Sequence, residues 1–288
     1  MTDSKQSEIA KGISMTDVNL PDLGAVRQLT GGTNEPAGRV AIVVGRFNQV
    51  LTQAMLEIAL DVESESSIPV AAGLASSASG FAALVGALNE LFNWQLKEHE
   101  LSILARMGSG SACRSVRPGF MHWTAGTRAD GLDSYAQPVQ ADWPDFRIAL
   151  QIISNAPKPI GSRPAMRRTR ETSILYERWP EKVSHDLEEL LAALNERDID
   201  RLGRTAESNA LAMHATMIDS WPPILYWTPE SVQHMQRIWS LRSQGLPVFF
   251  TMDAGPNLKL LFTAEYEKSI REEFPDAIII NPFVESLL

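Results

Sequence analysis

Apolar residues along this chain recur in two rhythms: a spacing of three and four that marks one face of a helix, and short continuous or alternating runs that mark strands. Phe81, Leu84, Val85, Leu88, Leu91 and Phe92 keep the first rhythm and predict a helix with a face to bury, and Lys97 to Met107 predicts a second. Further on, Val183, Leu187, Leu190, Leu191 and Leu194 predict an amphipathic helix, followed by helices over Ile199 to Ala215 and Pro229 to Gln244. The second rhythm predicts strands at Arg39 to Val44, Ile58 to Val62, Phe120 to Trp123, Phe146 to Ile153, Pro247 to Met252 and Ala277 to Ile280. A helical pattern runs from Asn48 to Glu57, and another helix is expected between the last two strands. Helices and strands together, with mostly antiparallel pairing, predict an α+β fold. The polar, proline-containing connection from Gln140 to Asp145 precedes the apolar run at Phe146, so a domain boundary is expected there, dividing the chain into 1–145 and 146–288.

Composition narrows the class of protein without choosing the chemistry. Hydrophobic residues make up 44% and charged residues 21%, ordinary proportions for a globular protein, and no apolar run approaches the ~20 residues of a membrane helix. The opening Met1 to Glu8 is polar and lacks the apolar core of a secretory signal, so a cytoplasmic protein without a membrane partner is expected. A formal net charge of −9 argues against a nucleic-acid partner, which calls for a basic stripe. Positive charge is instead local, with Arg163, Arg167, Arg168 and Arg170 crowded near Lys158. Such a cluster can hold a small polyanion, or be a solvated helix face paired with Glu171 and Glu177. The single cysteine, Cys113, rules out an intramolecular disulfide and a cysteine-rich metal site, and reads as a packing residue rather than a nucleophile.

The stretch from Pro69 to Leu84 is a small-residue loop running straight into a helix. Gly73 lets backbone approach a ligand, Ser76 and Ser77 can cap the helix while offering hydroxyls, and the free N–H groups of a first turn attract an anion. A phosphate cradle and a tight packing loop are both open readings. No Gly-Lys-Ser/Thr closes the loop, so it is not a Walker A loop, and its glycines do not fit the dinucleotide fingerprint.

Four ordered segments carry a more specific resemblance: Ala71 to Ser79; Gly108 to Ser115; Lys158 with Ser162, Arg163 and Met166; and Met252-Asp253-Ala254-Gly255-Pro256-Asn257-Leu258-Lys259. Together with a weaker echo in Glu207 to Ala215, Pro222-Pro223 and Tyr226, they resemble the diphosphomevalonate decarboxylases of the GHMP kinase superfamily over about residues 60 to 262. The resemblance implies the GHMP kinase fold, two α/β domains with the active site in the cleft between them, in a cytoplasmic homodimer. It also implies ATP and Mg²⁺ as cofactors and a small phosphorylated 3-hydroxy acid, 5-diphosphomevalonate, as substrate. The 3-hydroxyl would be phosphorylated, and phosphate and carbon dioxide would then leave to give isopentenyl diphosphate.

By the same resemblance Asp253 polarises the attacking hydroxyl and Arg114 orients the carboxylate that departs; both are the candidate catalytic residues. Ala72, Gly73, Leu74, Ala75, Ser76, Ser77 and Ser79 would hold ATP, with Ser76 and Ser77 toward the metal. Ser109, Arg114, Lys158, Ser162, Arg163 and Met166 would bind substrate. On residue type alone Asp253 is also a plain turn former before Ala-Gly-Pro, Arg114 a surface ion-pair residue, and His214 a packed, hydrogen-bonded histidine rather than a base. The family's opening Asn-Ile-Ala-Leu-Ile-Lys-Tyr-Trp-Gly-Lys segment has no counterpart, and the Gly-Gly after the arginine turn is replaced at Arg117-Pro118-Gly119. The alternatives are therefore a related kinase or decarboxylase of another phosphorylated 3-hydroxy acid, and a non-catalytic binding protein of the same fold.

Overall fold

The structure is a computed structural model that describes residues 76–156 and 158–283. The strands expected at Arg39 to Val44 and Ile58 to Val62, the helix from Asn48 to Glu57 and the loop residues Ala72 to Ala75 lie outside the described residues. Among those described, 78–116 and 125–135 form one compact unit, while 76–77, 117–124 and 136–283 belong to a second.

In the first unit, α1 (Ser76–Leu91), apart from its first two residues, and α2 (Glu98–Gly108) lead into a 3-10 turn at Gly110–Arg114. The Glu100 carboxylate accepts the Lys97 N–H at 2.8 Å, satisfying a donor that the start of α2 would otherwise leave open. Ala78, Val85, Ala105 and Ala112 make a small-residue core. Leu88, Leu91 and Phe92 bury against Leu84 and Trp94. Phe81 departs from the expected buried face and is 37% exposed. Its ring lies over Gly108, where any Cβ would overlap it, so the small Ala78 and Ala82 take the core-facing positions instead. Ser102 Oγ donates to the Cys113 carbonyl at 2.9 Å and ties α2 to the turn.

The second unit is built on a four-stranded antiparallel sheet in the order β4-β5-β3-β6, from β3 (Phe146–Gln151), β4 (Phe249–Thr251), β5 (Leu258–Thr263) and β6 (Ile278–Ile280). A separate ribbon pairs β1 (Met121–Trp123) with β2 (Ala136–Pro138). The helices are α3 (Ser162–Thr172), α4 (Trp179–Glu196), α5 (Ile199–Ile218), α6 (Pro229–Ser243) and α7 (Glu267–Glu273). Phe250, Leu258, Leu260 and Phe262 bury on one sheet face with Ala210, Met235 and Ile238, and Phe249 and Leu261 on the other with Leu194 and Leu202. The α+β expectation and its antiparallel pairing hold.

Strand β5 is absent from the sequence expectation, although it lies between β4 and β3. It reads Leu-Lys-Leu-Leu-Phe-Thr, nearly all apolar because both faces are covered, and such a run has no alternation to announce a strand. The strand expected over Pro247 to Met252 is paired only at Phe249–Thr251, since Pro247 has no N–H to give and the chain turns away at Met252.

Helix α4 keeps Leu190 and Leu194 of its expected face in the core but departs from it at the start. Val183 is exposed and Asp186 is buried, an acid made tolerable by Lys182 at 2.9 Å and the Asn209 amide at 2.8 Å. Helix α5 presents Gly203, Glu207, Ala210, His214 and Met217 as a buried stripe at helical spacing. Three of its members are chosen by their neighbours. A Cβ on Gly203 would overlap the Phe249 ring; Glu207 takes both the Arg242 guanidinium at 2.9 Å and the Trp239 indole N–H at 2.6 Å; and His214 reaches the loop described next.

Candidate active site

Six residues, Met252 to Asn257, connect β4 to β5, and their backbone is tied down from several directions. The buried His214 on α5 donates from Nε2 to the Asp253 carbonyl at 3.0 Å. Its ring is flanked by Trp227, centroids 5.2 Å apart, and meets Tyr226 edge-on at 6.3 Å. Burial pushes the imidazole pKa down to about 4, with the Asp253 carbonyl and carboxylate acting the other way, so the ring is neutral near pH 7. That state is the one that can donate while remaining uncharged in an apolar setting.

Lys158 donates to the Ala254 carbonyl at 3.0 Å and to Ser162 Oγ at 2.7 Å, with its ammonium 5.8 Å from the centre of the Tyr226 ring. Burial draws its pKa below the ordinary lysine value, and the nearby Asp253 charge opposes that shift. Ser231, in the first turn of α6, donates Oγ to the Pro256 carbonyl at 2.9 Å. Asn257 is buried, and its Oδ1 accepts the Ile153 and Ser154 N–H groups at 2.6 and 3.0 Å while Nδ2 donates to the Ser154 carbonyl at 3.0 Å. Asn257 thus continues, with a side chain, the hydrogen bonding that β3 leaves at Gln151.

The consequence is a rigid loop carrying one outward-facing acid. The Asp253 side chain is 55% exposed, and Lys259 of β5 donates to its Oδ2. Tyr226 donates its hydroxyl to the Ile160 carbonyl at 2.9 Å, fixing the segment between Lys158 and Ser162 at the start of α3. Asp253, Lys158 and Ser162 are therefore gathered at one place in the second unit. Arg163 follows in the exposed first turn of α3, and Met166, a turn further, is 64% exposed.

The other candidates lie on other elements. Ser76 is the first residue of α1, and Ser77 and Ser79 are exposed in its opening turn, which contains no acidic residue and so suits an anion. In the first unit, Arg114 ends the 3-10 turn and is exposed, while Ala112 and Cys113 anchor that turn by complete burial. Burial raises the Cys113 thiol pKa, as suits a packing residue. Ser109 Oγ lies 3.3 Å from Ser111 Oγ. Among the described residues no group of three or more His, Cys, Asp or Glu side chains could hold a metal ion.

Sequence reasoning left Lys259, Asn257, Ser231 and Tyr226 without roles. Asn257 and Lys259 stood within the last motif and Tyr226 within the weak echo, so the signal was present but unassigned. Ser231 belongs to a capping box with Thr228 and carries no signal beyond helix initiation.

Residues 18–136 match the model of the diphosphomevalonate decarboxylase-like N-terminal domain, and residues 148–282 match that of the mevalonate 5-diphosphate decarboxylase C-terminal domain. In the crystal structure of mevalonate diphosphate decarboxylase from Staphylococcus aureus, 38% identical, the likeness covers 76% of this chain and 68% of that one with a TM-score of 0.71. The chain belongs to the diphosphomevalonate decarboxylase family. It has that family's GHMP kinase fold. Among the enzymes called diphosphomevalonate decarboxylase, the Candida albicans protein is 36% identical over 214 residues and the Saccharomyces cerevisiae protein 37% over 217. Each match covers 73% of this chain, which spans 59% and 54% of those two relatives. A solved complex of MDDEF with MVAPP, AMPPCP and magnesium is 40% identical, with a TM-score of 0.68 over 74% of this chain and 67% of that one.

Proposed function

We propose that the chain uses ATP to phosphorylate the 3-hydroxyl of 5-diphosphomevalonate and then releases phosphate and carbon dioxide, leaving isopentenyl diphosphate. The observation that carries this reading is the Asp253 loop, a solvent-facing carboxylate on a backbone tethered by His214, Lys158, Ser231 and Asn257. A hydroxyl that attacks phosphorus must surrender its proton, and a held carboxylate is the group to take it. Phosphorylation turns a poor leaving group into a good one. Loss of phosphate and of the carboxylate as carbon dioxide then leaves an electron pair to form the carbon–carbon double bond.

Arg114 is assigned to the substrate carboxylate, because its planar fork can take both oxygens at once. Lys158, Ser162 and Arg163 are assigned to the substrate's phosphate groups, with Ser109 and Met166 completing its contacts. Ala72, Gly73, Leu74, Ala75, Ser76, Ser77 and Ser79 are assigned to ATP, and Ser76 and Ser77 would also hold Mg²⁺. The opening turn of α1, free of acidic side chains, supports that assignment. When bound, ATP supplies the phosphoryl group and Mg²⁺ offsets its charge. The relative holding MVAPP, AMPPCP and magnesium supports the same ligand set.

A division into domains 1–145 and 146–288, a homodimeric state and a cytoplasmic location belong to the same proposal. No helix among the described residues is long and apolar enough to cross a membrane. Incubation of the purified chain with ATP, Mg²⁺ and 5-diphosphomevalonate tests the reaction. ADP, phosphate and carbon dioxide in equal amounts are expected. ADP without carbon dioxide would make the protein a kinase, and nucleotide binding with no turnover would make it a binding protein.

A further inference from the structure

We propose that Lys259 is a positioning residue that orients the Asp253 carboxylate by one oxygen and leaves the other open for the substrate hydroxyl, an inference that rests on the decarboxylase reading above. The pair is built from unlike parts. Asp253 stands just past the end of β4, the one exposed residue of a largely buried loop, whereas Lys259 is in β5, opposite Thr251 of β4 and Leu150 of β3. The Lys259 side chain is only 18% exposed, so its stem is packed within the unit while its ammonium emerges at the loop.

Lys259 Nζ donates to Oδ2 of Asp253, and among the described residues no hydrogen bond goes to Oδ1. The carboxylate is therefore held by one oxygen and presents the other. Among the described residues three ionisable groups face this acid. Lys259 pairs with the side chain directly; Lys158 adds positive charge from the segment after β3; and His214, on α5, grips the backbone carbonyl while neutral. Lys158 donates to Ser162 and Ala254 and Lys259 to the carboxylate itself, so among the described residues Lys259 is the cation that orients it.

A charged donor that grips one carboxylate oxygen restricts the rotation of the whole group. Lys259→Met keeps the apolar stem without the donor, and Lys259→Arg restores one. Three-bond NMR couplings should show a single Asp253 side-chain rotamer in the wild type, an averaged one in Lys259→Met and a single one again in Lys259→Arg. In turnover assays Lys259→Met should lose roughly tenfold in kcat with the KM for ATP kept, and Lys259→Arg should recover most of it. An unchanged Asp253 rotamer in a folded Lys259→Met protein overturns the proposal, as does a lowered kcat that Lys259→Arg fails to restore, which would mark a packing role. Absence of turnover in the wild-type chain would refute the decarboxylase reading instead, and the Asp253 couplings would still decide whether Lys259 orients it.

Discussion

Between pH 7 and pH 5 the protein should lose about 2 kcal/mol of stability through one side chain, the His214 imidazole. In the native state this group titrates near 4, against 6.5 for a solvated histidine, because it is sealed between Trp227, Tyr226 and the Asp253 loop. The folded pKa is the lower one, so the unfolded chain binds more protons across the window between the two values. Stability is complete above 6.5 and drains away as the pH falls toward 4. At about 1.4 kcal/mol per unit the whole gap amounts to about 3.5 kcal/mol, of which somewhat over half is lost by pH 5. Carboxylates also titrate in this range, so the test is a comparison. Urea unfolding at pH 7 and pH 5 is measured for the wild type and for His214→Gln, whose amide can still donate to the Asp253 carbonyl but does not titrate. The wild type should lose about 2 kcal/mol more than the variant. Equal losses in both would refute the assignment of a buried, neutral His214.

Three further outcomes are expected. Asp253→Asn should cut turnover by about 10²–10⁴ while ATP and substrate still bind, read by product assay and calorimetry, whereas near-normal turnover would make Asp253 a turn former only. Arg114→Lys should lose turnover and keep ATP affinity, because an ammonium cannot reproduce a paired hydrogen bond to a carboxylate; equal activity would remove that role. Gly203→Ala should destabilise the fold by about 1–3 kcal/mol in urea unfolding, since the added methyl overlaps the Phe249 ring, and an unchanged midpoint would show that α5 can shift away.

The helices were legible where one face is buried and the other wet: Ile199–Ile218 and Pro229–Ser243 fall within a few residues of their expected ends. Strand β5 was hidden by its own burial, and the burial of Asp186 on α4 by a partner, Asn209, that comes from the next helix. The Asp253 turn stood out because Ala-Gly-Pro-Asn breaks an apolar run, and His214 was legible as a packed residue from its apolar neighbours. What those residues do to each other was not. The grip of His214 on a carbonyl 39 residues away and the pairing of Lys259 across a turn depend on strand register, which no local pattern specifies.

Helix α5 works as a ruler laid along the sheet. One mark is Gly203, where backbone touches the Phe249 ring, and the other is His214, eleven residues on and so about 16 Å further along the axis. Sliding the helix to ease the first contact would drag the second away from Asp253. Inserting one turn between them would restore the inward face yet leave the imidazole about 5 Å out of place. Relatives that retune this loop for another substrate are therefore expected to vary its side chains, while the interval between these two marks keeps its length.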